Sequence, residues 1–373
     1  MKGMKRILIL GTGNAQVDAV RFCKEWGLFV YACSYNSFGR ATALADQFEL
    51  IDITDINKVK AYTEANNIDA VYSVGSDIAM PTACAVSEQL ALPHFVTFET
   101  AQTCMDKANL RKSLGLNGGG NIKYQMITGK GEQINIPYPF IMKPVDSQGQ
   151  RGVRLIKNFE EFEKHFDTAK EFSRAGKVII EEYIDGPEMS VNTYVYNNEI
   201  IFFAISDRVS WEQYPGGIIH KHILPSRILN HDANKAVLDL VQETIQILSI
   251  ENGPVYFQIK LQDNEPKLIE VTPRLDGCHM WWLYTYSTCI DLLEVTFKHL
   301  LGALPKPETC LNPEISNAYS LEFFCEVPGK HVDYSKYSTK DALYLEWYYN
   351  PGEKVMPING FFEKIGYVIR NDN

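Results

Sequence analysis

The sequence predicts a chain of α/β and α+β character, with a doubly wound parallel-sheet unit first and a mixed region after it. Two observations carry that expectation. Up to about residue 95, short apolar runs alternate with helical segments, the pattern of right-handed βαβ units on a parallel sheet. Beyond that point the texture changes to short strands, two hairpins and amphipathic helices, ending in a strand-rich stretch.

Arg6 to Leu10 is almost wholly apolar, as a strand buried on both faces should be. Gly11-Thr12-Gly13 breaks it, and a helix follows through Val17, Val20, Phe22 and Trp26. Phe29 to Ala32 and Ala70 to Val74 are further strands. Ala101 to Leu114 reads as one helix, punctuated by Gly118-Gly119-Gly120. Short strands follow at Lys123 to Ile127, Pro139 to Pro144, Val153 to Lys157 and Val178 to Ile180. Between the last two, Glu160 to Phe172 is helical, with Phe162, Phe166, Ala169 and Phe172 on one face. Val191, Thr193 and Val195 share a strand face, Asn197-Asn198 turns, and Ile200 to Ile205 returns. Ala236 to Ile250 is an amphipathic helix. Val255 to Leu261 and Lys267 to Val271 form a second hairpin about Asp263-Asn264, and Trp281 to Leu301 reads as one long apolar helix. After the proline-bearing Leu304 to Pro307, strands are expected at Tyr319 to Val327, Ala342 to Tyr349 and Glu363 to Arg370.

Composition narrows the function classes. With 36 Lys plus Arg against 46 Asp plus Glu, the net charge is −10, which opposes general binding of nucleic acid or anionic membrane. No apolar run approaches the ~20 residues that span a bilayer. Met1 to Arg6 leads into a short apolar stretch rather than a signal-peptide core. The eight cysteines form no CxxC pair, so a reducing cytoplasm is expected.

Four stretches carry chemistry. Gly11-Thr12-Gly13-Asn14-Ala15-Gln16 stands where a dinucleotide fingerprint would, but Gln16 replaces the third glycine and the second strand ends without a carboxylate for ribose. It reads as a tight turn. Lys143 ends an apolar strand, where an unpaired ammonium is costly and phosphate is a suitable partner. The polar loop after it, with Gly149 and Gly152, can bring backbone N–H groups to phosphate oxygens, although it is not a Walker loop. The run Val178 to Glu188 ends a strand in Glu181 and Glu182 and crosses Gly186-Pro187 to Glu188. By itself it reads as a solvated acidic turn. As a site, Glu188 would hold ribose hydroxyls, and backbone near Glu182 and Ile184 an adenine edge. Gln258 and Glu270 lie on adjacent strands of the second hairpin. Oxygen donors so placed suit Mg²⁺, and Arg274 just beyond suits a transferring phosphoryl group.

In this order along one chain, the four stretches resemble the ATP-grasp superfamily, in particular the carboxylate–amine ligases related to carbamoyl-phosphate synthetase and D-alanine–D-alanine ligase. The resemblance runs from about Lys5 to Leu301. It implies a Rossmann-like pre-ATP-grasp domain at 1–98, a small ATP-grasp lobe with a glycine-rich lid at 99–185, a large lobe at 186–308 and a C-terminal β extension at 309–373. Lys107, after Met105-Asp106, resembles the family's first ATP lysine and Lys143 its second. Ser147 to Gly152 resembles the lid, Glu181 to Ile184 the adenine hinge and Glu188 the ribose carboxylate. Gln258 and Glu270 resemble the Mg²⁺ or Mn²⁺ ligands, and Arg274 the arginine of Glu-x-Asn-Pro-Arg. Thr272 stands where the family has asparagine.

The resemblance implies a reaction in which ATP converts a carboxylate to an acyl phosphate that an amine then attacks. Phosphoryl transfer needs positioning and charge neutralisation rather than an enzyme nucleophile, and no nucleophile motif is present. His220-Lys221-His222-Ile223-Leu224-Pro225-Ser226 resembles a substrate-facing stretch of such ligases, with His222 the candidate. Arg208, Asp276 and His279 are further candidates. The implied partners are a small carboxylate and a small amine, with assembly as a homodimer as in similar ligases. A purine-precursor ligase, a nucleotide-binding protein without ligation and an NAD-dependent oxidoreductase are the competing readings. The incomplete glycine fingerprint opposes the last.

Overall fold

The computed structural model describes residues 4–115, 118–147, 151–211, 218–304, 315, 317–358 and 362–372. Gly149, a proposed phosphate contact, lies outside them.

The N-terminal sheet is parallel, with β1 (Arg6–Leu10), β2 (Phe29–Ser34), β3 (Gln47–Leu50) and β4 (Ala70–Tyr72) in the order β3-β2-β1-β4. Helix α1 (Asn14–Glu25) connects β1 to β2, α2 (Ile56–Ala65) connects β3 to β4, and α3 (Met80–Gln89) follows β4. Strand β1 is buried along Ile7 to Leu10, as its apolar run requires. Strand β3 is an exposed edge and carries no apolar run, which is why periodicity does not reveal it.

Ala101 to Leu114 is not one helix. It divides into α4 (Phe98–Met105) and α5 (Lys107–Leu114) at Asp106, whose backbone is extended and whose carboxylate caps the amides of Ala108 and Asn109. A small antiparallel sheet follows: β5 (Tyr124–Ile127), β6 (Phe140–Pro144), β7 (Arg154–Ile156) and β8 (Val178–Glu182), in the order β5-β8-β6-β7. Helix α6 (Phe159–Glu171) covers it with Phe162, Phe166 and Ala169 buried. Phe172, expected on that face, is 46% exposed.

The third sheet is antiparallel throughout and eight strands wide. It comprises β9 (Glu188–Tyr196), β10 (Glu199–Ser210), β11 (Ile219–Leu224), β12 (Gly253–Gln262), β13 (Glu265–Thr272), β14 (Tyr319–Glu326), β15 (Ala342–Trp347) and β16 (Glu363–Asn371), in the order β13-β12-β9-β10-β11-β14-β16-β15. The C-terminal strands thus extend the sheet that begins at Glu188. Helix α7 (His231–Ile247) packs on it.

Trp281 to Leu301 is also two helices, α8 (Met280–Thr288) and α9 (Leu292–Leu300). Cys289 takes the left-handed conformation at φ +59°, and Asp291 caps the amides of Leu293 and Glu294 to start α9. The N-terminal and C-terminal parts meet at Asp18 of α1. Its Oδ2 accepts from His279 Nδ1 at 2.7 Å and from the indole N–H groups of Trp281 and Trp282, each at 3.1 Å. Tyr348 OH lies 2.8 Å from the other nitrogen of His279. His279, a substrate candidate by sequence, is therefore a buried tie between units. Among the described residues, no helix is long and apolar enough to cross a membrane.

Candidate active site

Register in the large sheet gathers the polar residues on one face. Directly paired residues of neighbouring strands point the same way, and alternate residues of one strand share a face. Gln258 pairs with both Ser190 and Glu270, Tyr256 with Asn192 and Thr272, Ser206 with Ser190, and Arg208 with His222. Glu188 stands two residues before Ser190, on the same face. A sheet face bearing carboxylates, an arginine, a histidine and hydroxyls is built for a polar occupant.

At one edge of this face stand the cations. Lys143 Nζ meets Glu181 Oε2 at 2.6 Å, and Arg111 Nε meets Glu181 Oε1 at 3.0 Å, all three groups being buried. Burial alone would raise the Glu181 carboxyl, but Arg111 and Lys143 overcome it and hold it down at about 2. Burial pulls the Lys143 ammonium below its ordinary range despite Glu181, with Arg111 and Lys107 adding repulsion. Arg111 also donates from NH1 to the carbonyl of Leu268 at 2.7 Å and from NH2 to that of Ile269 at 3.0 Å, pinning β13 just before Glu270. Lys107 donates to the carbonyl of Ser147 at 2.9 Å and lies 3.9 Å from Glu270 Oε1. Two cations thus hold one buried carboxylate, and a third, Lys107, stands beside Glu270 and within electrostatic reach of Lys143. Phosphate oxygens would complete the balance.

Sequence reading missed Arg111. Its partner Glu181 lies 70 residues away, so no local spacing points to it. Glu181 was expected as part of the adenine hinge, but its carboxylate is spent on Lys143 and Arg111. Its side chain positions cations. Glu182 turns its carboxylate back onto the amide of Lys123 at 2.7 Å. The carbonyl of Ile184 accepts from Lys260 Nζ at 3.1 Å. Glu188 accepts from Gln258 Nε2 at 2.6 Å and pairs with Arg208. A ribose at Glu188 would have to exchange with those partners. Gly152, at φ +77°, lets the chain pass Pro144, where a β-carbon would come within 2.8 Å of the proline ring.

The cation donors fit their assignment. Gln258 and Glu270 are direct cross-strand partners. Gln258 spends an amide N–H on Glu188, which leaves its carbonyl oxygen as the donor for a hard cation. Thr272 Oγ1 is buried without a hydrogen-bond partner beside this pair, as suits a group awaiting a phosphate oxygen.

Arg274 is buried. It donates from Nε to Asp77 Oδ1 at 2.6 Å, with NH2 at 2.5 Å from the same oxygen, and from NH1 to the Leu275 carbonyl at 2.9 Å. His222 is sealed from solvent. Burial, with Arg208 and Lys364 nearby, pushes its imidazole well below its ordinary range, so it is neutral. Its Nε2 has no partner, nor has Asp276 Oδ2. His222, Asp276 and Cys278 place their donor atoms within 4.8 Å of one another. The site thus brings together Lys107, Lys143, Gln258, Glu270 and Arg274, with His222 deeper on the same face.

The family model described as ATP-grasp domain matches residues 136–280, the stretch holding Lys143 through Arg274. Over that stretch the chain is similar to ATP-grasp domains. Alanine–anticapsin ligase of Bacillus amyloliquefaciens is 27% identical over 62% of this chain and 52% of its own length. A formate-dependent phosphoribosylglycinamide formyltransferase of Prochlorococcus marinus is 28% identical over 48% of each chain. The chain spans about half the length of these curated relatives. The crystal structure of an L-amino acid ligase from Bacillus licheniformis superposes with a TM-score of 0.81, covering 99% of this chain and 94% of that one, at 17% identity. That likeness establishes a shared fold from the parallel N-terminal sheet to the C-terminal strands.

Proposed function

We propose that this chain is an ATP-dependent carboxylate–amine ligase. The observation that carries the reading is the cross-strand Gln258–Glu270 pair with Lys107 3.9 Å from Glu270, Arg274 within electrostatic reach of Glu270, and Lys143 held on Glu181 beside Lys107. A carboxylate oxygen of the acceptor attacks the γ-phosphorus of ATP, the bond to the β-phosphate oxygen breaks, and ADP leaves. The amine nitrogen then attacks the acyl carbon, phosphate departs with the carbon–oxygen electron pair, and the nitrogen loses a proton to give the amide. Lys107 and Lys143 hold phosphate charge, and Arg274 faces the transferred group. Mg²⁺ or Mn²⁺, held by Gln258 and Glu270, would neutralise phosphate charge. The resemblance of Ser147 to Gly152 to the family's lid supports a role for that stretch in excluding the water that destroys an acyl phosphate.

The alanine–anticapsin relative supports amino acids as the substrate class. The phosphoribosylglycinamide relative supports a second reading, a purine-precursor ligase. ADP release with ATP and Mg²⁺ against amino acids, dipeptides, uronic acids and purine precursors tests both. ADP formation requiring an acid and an amine together supports the ligase. ADP formation only with ribonucleotide precursors supports the second reading. ATP binding with no acid-dependent turnover across the panel counts against ligation.

A further inference from the structure

We propose that Asp77, from the N-terminal parallel-sheet unit, is a positioning residue that sets the guanidinium of Arg274 for phosphoryl transfer. The proposal rests on the ligase reading. Asp77 lies beyond β4, 197 residues from Arg274 in sequence, yet one carboxylate oxygen takes both the Nε and the NH2 edge of the arginine, at 2.6 and 2.5 Å. Both residues are nearly excluded from solvent, with side-chain exposures of 12% and 8%. The Leu275 carbonyl takes an NH1 proton at 2.9 Å, and the Tyr256 ring lies 5.7 Å from the guanidinium carbon. Of the five N–H donors on a guanidinium, three are thereby assigned, and the remaining N–H bonds on NH1 and NH2 are left for developing negative charge.

The backbone is shaped to bring the two residues together. Gly75, at φ +67°, abuts Gly277 so closely that a β-carbon on Gly75 would stand 2.6 Å from the Gly277 Cα. A β-carbon on Gly277 would in turn stand 3.2 Å from Gly75 Cα. Two glycines back to back let the loop carrying Asp77 touch the segment carrying Arg274 to Asp276. Glu270 and Lys107 act electrostatically on Asp77, so the pair borders the cation and phosphate positions. An arginine paired only within its own lobe would follow that lobe's motions. Paired with Asp77, it is fixed to the N-terminal unit as well.

Asp77→Asn keeps the shape and removes the charge. It is expected to lower kcat roughly 10- to 100-fold through misplacement of Arg274, while MgADP affinity by calorimetry stays within about 2-fold. In an Arg274→Lys background the same change is expected to cost less than about 2-fold, because the two residues act as a unit. The Arg274 Nε–H resonance in an arginine-selective ¹⁵N spectrum is expected to be slow to exchange in the wild type and fast in Asp77→Asn. A full kcat in Asp77→Asn, an undiminished cost in the Arg274→Lys background, or an Nε–H that exchanges rapidly in the wild type overturns the proposal. Wild-type protein without acid-dependent ADP release defeats the ligase reading instead, and the resonance still decides whether Asp77 fixes Arg274.

Discussion

Glu181 meets Arg111 at 3.0 Å and Lys143 at 2.6 Å inside the protein, with Lys107 close by, so the local balance is positive and short of an anion. Lys143→Ala removes one charge-assisted contact to phosphate, worth about 1.5–3 kcal/mol, and is expected to weaken ATP binding roughly 10- to 100-fold by calorimetry. Arg111 still pairs with Glu181 in that variant, so the fold should persist. Glu181 also sets an acid limit. Its carboxyl is held at about 2 against an ordinary 4.5, so its stabilisation is complete above pH 4.5 and is lost as pH falls toward 2. Urea midpoints measured across that window should fall with pH, and more steeply than in Glu181→Gln. Lys143 and Glu270 were legible in the sequence because each is a charge in an apolar strand. Arg111 and Asp77 were not, because their partners lie 70 and 197 residues away. A chain-local pattern holds no record of such pairs.

The elements that reading by periodicity recovered are those whose two faces differ in polarity. The β12–β13 hairpin and α6 fall in this class. Strand β11 escaped because His220 and His222 face polar surroundings, so its residues do not alternate as a half-buried strand should. The two helix breaks were written in sequence as capping aspartates, Asp106 and Asp291, inside otherwise continuous apolar patterns. Gly152, two residues before β7, takes φ +77° beside Pro144. Gly152→Val forces a β-branched residue to φ +77° and drives its β-carbon into Pro144. Urea unfolding should report a loss of about 1–3 kcal/mol.

Across the whole molecule, an N-terminal parallel sheet, a small antiparallel lobe and an eight-stranded sheet are joined by buried polar ties. Tyr348, near the C-terminal end, reaches His279 and through it Asp18. Asp18→Ala leaves His279 and two indole N–H groups without their acceptor. The expected loss is on the order of 3 kcal/mol, with unfolding that separates into more than one transition once the units uncouple.

The reading of this molecule as an acyl-phosphate ligase is tested most directly by oxygen transfer. With the acid identified by ADP release and labelled with ¹⁸O in its carboxylate, the phosphate released in the presence of the amine is analysed by mass spectrometry. Ligation through an acyl phosphate places a single ¹⁸O in each phosphate formed. Unlabelled phosphate would mean that water, and not the carboxylate, receives the phosphoryl group, and would contradict the proposed reaction.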